Sequence, residues 1–132
     1  MFTFHVQYQE ENYGLIYIQT SDGYFPEENW DDLIDLMLYE WLTNANKLFK
    51  ENHSVFWFME GPYQFHVDRI SDTLCAIRFF DTDDTNHLFE TTDMPSVVID
   101  FQHFVHELIM IGKLSKDEKI HALVDVLISK VN

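Results

Sequence analysis

The chain has one cysteine, Cys75, three prolines and four glycines in 132 residues, with only eight lysines and arginines. Each scarcity removes a class of protein. A single thiol cannot close an internal disulfide and fits a reducing compartment, so the cytoplasm is the expected location. The opening residues, MFTFHVQY, carry no base and no apolar run of signal-peptide length. Nowhere do about eighteen apolar residues follow one another, so neither export nor membrane spanning is expected. No linker, repeat or low-complexity segment interrupts the chain, and its length suits one domain with one core.

Basic residues are missing most completely from the first third. Residues 1 to 46 hold nine acids (Glu10, Glu11, Asp22, Glu27, Glu28, Asp31, Asp32, Asp35 and Glu40) and no lysine or arginine. Over the whole chain 23 acids face eight bases, a net charge of −15. A field of that sign repels nucleic acid and anionic lipid, which bind through lysine and arginine. It favours encounter with a basic protein. The bland alternative is that the acids keep an aromatic-rich protein in solution.

Signatures of catalysis are also lacking. There is no glycine-rich phosphate loop and no Gly-x-Ser-x-Gly elbow, and no carboxylate pair stands in an apolar setting that would tune one of its members. No enzymatic activity and no cofactor are expected. Cys75 lies inside an apolar stretch and reads as a core thiol rather than a nucleophile. His103 and His106 share a helix face at i and i+3, with Glu107 beside them. The zinc-protease arrangement needs i and i+4, and a third ligand would have to come from His66, His87 or His121. Surface histidines beside an apolar stripe are the simpler reading, and no metal is expected. The run Asp81-Thr82-Asp83-Asp84 lacks the glycine and the closing glutamate of a calcium loop.

What is present is a hydrophobic fraction of 46%, with twelve phenylalanines. Ser54 to Phe80 holds three apolar or alternating runs separated by Glu60-Gly61-Pro62 and by Ser71-Asp72, which predicts three antiparallel strands. Val55 to Met59 is apolar on both faces and is expected to be central. Tyr63, Phe65 and Val67 form one side of the next run. Tyr63, Gln64, His66 and Asp68, with His5 and Gln7 of the first strand, suggest a polar sheet face, exposed to solvent or to a partner. Phe2 to Tyr8 and Tyr13 to Gln19 alternate as a hairpin around Glu10-Glu11-Asn12.

Trp30, Leu33, Ile34, Met37, Trp41, Ala45 and Leu48 recur at threes and fours and predict a helix starting near Trp30, with Asn29 as its cap. Asp31, Asp32 and Asp35 would then lie in its first turns, where the macrodipole favours acids. His87 to Thr91 reads as a short strand. Asp93 and Pro95 suggest a second helix carrying Val97, Val98, Phe101, Phe104, Val105, Leu108 and Ile111 as far as Gly112, although Ser96 to Asp100 could instead be a strand. Ser115-Lys116-Asp117-Glu118 has the form of a capping box for a third helix. The expected fold is a single α+β domain, an antiparallel β-sheet meander covered by helices in the order β-β-α-β-β-β-β-α-α.

Trp57, Gly61-Pro62-Tyr63, Arg69-Ile70, the stretch Leu74-Cys75-Ala76-Ile77-Arg78-Phe79-Phe80, Phe89-Glu90-Thr91, and a helix with Phe101, Val105 and Leu108 together resemble a set of small uncharacterised bacterial proteins. They also resemble the immunity proteins of polymorphic-toxin and contact-dependent inhibition systems, which are small, acidic and cytosolic. The resemblance implies a protein that binds and neutralises a toxin domain, and it carries over no functional residue. Charge and position alone single out Asp81, Asp83 and Asp84, Glu10 and Glu11, and Glu27 and Glu28 as partner-binding residues. The competing expectations are a ligand- or metal-binding role and a homo-oligomeric structural protein.

Overall fold

The computed structural model describes residues 1–82, 85, 87–91 and 93–131. Its fold is α+β, with three helices and two antiparallel sheets among the described residues. The first sheet contains β1 (Phe2–Tyr8), β2 (Tyr13–Thr20), β3 (Gly23–Phe25) and β4 (Asp31–Leu33), with β2 bonded to the other three. Helix α1 (Ile34–Lys47) leads to the second sheet. This is made of β5 (His53–Trp57), β6 (Gln64–Arg69), β7 (Leu74–Thr82), β8 (Leu88–Glu90) and β9 (Val97–Asp100), in which β8 and β9 pair with different halves of β7. Helices α2 (Phe101–Gly112) and α3 (Glu118–Val131) close the chain.

Alternation along the strands sends Phe2, Phe4, Ile16 and Ile18 to the inner face of the first sheet, and Phe56, Phe65, Val67, Cys75, Ile77 and Phe79 to that of the second. The inner faces meet through rings: Phe4 lies 6.1 Å from Phe65, and Phe25 lies 4.8 Å from Phe79. Helix α1 adds Trp41, which touches Phe4 of one sheet and Phe56 and Phe65 of the other. Helix α2 adds Phe104 against Phe2, Phe4 and Phe56. Offset and edge-to-face pairs of this kind contribute beyond their buried area, and they replace the single meander of the sequence reading by one aromatic core shared between two sheets. Helix α3 packs on α1 and α2. A Cβ on Gly112 would stand 2.5 Å from Cγ2 of Val124, so α2 and α3 can approach closely only because this position has no side chain.

Five local expectations are corrected. Residues 31–33 are a strand rather than the first turn of α1: Tyr13 pairs with Leu33 and Leu15 with Asp31. Asn29 is not a helix cap but a turn residue at φ 63°, and α1 begins at Ile34 without a side-chain cap. The strand is preferred because it buries Asp32 where three donors converge: Trp30 Nε1 at 3.1 Å, Glu60 N at 3.1 Å and its neighbour Leu33 N at 2.7 Å. Val97 and Val98 belong to β9, the alternative left open above, as suits the β-branched run Val97-Val98-Ile99. The helix starts after Asp100, whose carboxylate accepts from Gln102 N at 2.9 Å.

The reciprocal capping box at Ser115 does not form. Asp117 caps α3 through Lys119 N and Ile120 N, while Ser115 Oγ accepts from Asp117 N at 3.0 Å. Finally, β5 is an edge strand rather than a central one, and Trp57 is 46% exposed.

The long sheet edges are closed by helix side chains. On β5, the carbonyls of Trp57 and Val55 accept from Trp41 Nε1 at 2.7 Å and Asn44 Nδ2 at 2.9 Å. On β1, Glu107 accepts from Phe4 N at 3.2 Å and His103 Nε2 lies 3.0 Å from Phe2 O. An open strand edge is a template for unwanted pairing, and residues three or four apart on one helix reach two successive outward groups of a strand. His103 and Glu107, singled out in the sequence, are used here for that purpose.

Candidate functional site

The end of β1, the turn after it, the first turn of α1 and the connection between α2 and α3 enclose a cleft of about 520 Å³. It is lined by Tyr8, Glu10, Glu11, Asp35, Leu114, Lys116 and Asp117. Its floor is a fixed hydrogen-bond array. The Tyr8 hydroxyl donates to Asp35 Oδ1 at 2.6 Å, and the Ser115 hydroxyl donates to the same oxygen at 3.0 Å. Burial and the adjoining Asp35 carboxylate push the Tyr8 phenol well above its ordinary range, so it stays protonated and remains a donor. Glu10, Glu11 and Asp117 stand exposed around this floor, with Lys116 as the cation among the lining side chains.

The acidic character continues past the hairpin turn. The Tyr13 hydroxyl donates to Glu60 Oε2 at 3.2 Å, and local desolvation together with Glu60 and Asp31 raises its phenol to about 12. A hydrogen bond to Glu28 and the charge of that carboxylate raise the Tyr24 phenol above its ordinary value. Burial raises the Tyr63 phenol, and the charges of Asp81 and Glu27 add to the shift. Trp30 links these groups: its ring lies 5.3 Å from Tyr63 and against Gly61, whose φ of 112° few side-chain-bearing residues would adopt.

Half of the cations lie at the other end of α1. Lys47 ends the last turn of α1 and Lys50 follows it, where Lys130 Nζ reaches Asn46 Oδ1 at 3.0 Å and Arg69 donates to Leu48 O while stacking 4.0 Å over Phe101. Four of the eight bases thus surround the C-terminal end of α1, whereas Asp35, Glu10 and Glu11 surround its N-terminal end. A helix of 14 residues separates the two by roughly 20 Å at 1.5 Å per residue. Both placements match the helix dipole.

Of the residues singled out by charge, Glu10 and Glu11 line the cleft. Glu27 and Asp81, far apart in sequence, both act on Tyr63, and Glu28 adjoins Tyr24. Asp83 and Asp84 lie outside the described residues. Sequence reasoning passed over Tyr8, Glu60 and Asp117, and assigned Asp31 and Asp35 to helix stabilisation alone. Nothing local marks these positions, because the cleft exists only when the α2–α3 connection meets the first hairpin.

The polar residues expected on one sheet face divide between two. His5 stacks on Tyr17 and meets Gln19 Oε1 at 2.7 Å on the first sheet, as Gln64, His66 and Asp68 face outward on the second. Tyr63 points instead toward Trp30 and Phe25. Cys75 is fully buried, and burial pushes its thiol up to about 12. Among the described residues no three or more His, Cys, Asp or Glu side chains converge in a group able to hold a metal ion, and no helix is long and apolar enough to cross a membrane.

Neither a protein-family model nor a curated protein nor a solved structure matches the chain.

Proposed function

We propose that this chain is an acidic protein-binding inhibitor of the immunity type, which neutralises a basic toxin or nuclease domain by covering its cationic active-site surface. One observation carries the reading: the carboxylates of Glu10, Glu11, Asp35 and Asp117 gather around one cleft, while half of the chain's bases sit at the far end of α1. A surface on which acids outnumber the one lysine, with a tyrosine hydroxyl set among them, suits lysine and arginine side chains. Charged partners hold the cation, and aromatic rims supply contact area at small entropic cost. Residues without catalytic machinery suffice for such a role, since occlusion needs only affinity and geometry.

The test is inhibition. The toxin domain encoded in the adjacent reading frame is titrated with purified chain, and its activity should vanish at one equivalent. The Glu10→Lys/Glu11→Lys variant should bind at least tenfold more weakly while keeping its far-ultraviolet dichroism. Undiminished toxin activity at several equivalents, or unchanged affinity in the folded variant, would remove the assignment.

A further inference from the structure

We propose that the outer face of the second sheet is a two-fold interface between two copies of this chain. The register of β5 to β8 lays a diagonal row of charge across four strands. His53 Nδ1 lies 2.6 Å from Asp68 Oδ1, Arg78 Nη2 lies 3.0 Å from Asp68 Oδ2, and Arg78 Nη1 lies 3.5 Å from Glu90 Oε1. From end to end the row alternates base, acid, base, acid. Such a row is complementary to its own reverse. A two-fold axis lying in the interface and crossing the row between Asp68 and Arg78 sets Asp68 against Arg78 of the second copy, and His53 against its Glu90. An isologous contact needs this self-complementarity, and an evenly acidic face could not supply it.

Two large apolar side chains support the same axis. Trp57 shares a cross-strand row with Gln64, Phe80 and Glu90, and Val98 one with Ala76, Asp68 and His53. They therefore sit off opposite sides of the charge row, where the axis brings each against its own copy. Trp57 is 46% exposed and Val98 58%. Each apolar contact, placed on the axis to one side of the charge row, adds buried area that the paired charges alone would not supply. With a net charge of −15, two copies repel each other over the rest of the surface, and this face, where Arg78 pairs with both Asp68 and Glu90, is where they can approach. It is a different surface from the acidic cleft, so the two proposals fail independently.

Sedimentation equilibrium on the full chain tests the interface. Wild type should sediment at twice the 15.8 kDa of one chain. Arg78→Glu, which sets acid against Asp68 of the second copy, should be monomeric with unchanged circular dichroism. The double variant Asp68→Lys/Arg78→Glu exchanges the two signs, keeps the pair within each chain and restores the complement, so it should dimerise again. A monomeric wild type at all concentrations, or a dimer undiminished in Arg78→Glu, would overturn the proposal.

Discussion

His66 is the residue whose protonation state the fold controls most visibly. It faces outward from β6 yet is nearly covered, with its ring centroid 4.1 Å from that of Phe80 and its Nε2 2.9 Å from Gln64 Oε1. Burial, followed by His53 and Arg78, lowers its pKa from 6.5 to about 4. A depressed imidazole means that the unfolded chain takes up a proton which the folded chain refuses. Stability is therefore fully present above about 6.5, declines as pH falls toward about 4, and loses nothing more through this group below that. The loss should not exceed about 3 kcal/mol, and His66→Gln should flatten it in urea titrations run across that window. At Asp68, burial works to raise the carboxyl, but His53 and Arg78 outweigh it and hold it below the ordinary value, so its contribution disappears only in stronger acid. Asp32 is the other residue on which much depends. Asp32→Ala leaves the Trp30 indole and the Glu60 amide without their acceptor, and should cost on the order of 3 kcal/mol in the same assay.

The elements were legible where their period was unbroken and obscured where a few residues were claimed by a distant partner. The hairpin of β1 and β2, the β5–β6–β7 meander and the lower part of α1 all follow from alternation or from three-and-four spacing. Residues 31–33 and 97–100 also satisfy helical spacing, but each extends a helix that a neighbouring strand shortens by pairing with it. No window of sequence contains β2 together with β4, or β7 together with β9. The cleft was half legible for the same reason: Glu10 and Glu11 stand out by charge, whereas Asp117 joins them only through the packing of α2 against α3. That packing has its own test. Gly112→Ala should lose about 1 to 3 kcal/mol by driving its new methyl into Val124, and Val124→Ala in the same chain should recover part of the loss in a double-mutant cycle.

At the scale of the whole molecule, a shared aromatic core holds two sheets whose long edges are closed from within by Trp41, Asn44, His103 and Glu107. Acids gather at one end of α1, and four of the eight bases at the other. If the acidic end exists to meet a cation-rich protein, attraction must act before contact, and ions in solution must weaken it. The most direct measurement is the stopped-flow association rate with the proposed basic partner domain as ionic strength rises. The rate should fall by about tenfold or more between low and high salt, with a shallower slope for Glu10→Lys/Glu11→Lys. A rate that is independent of salt, or a slope identical in that variant, would contradict the account.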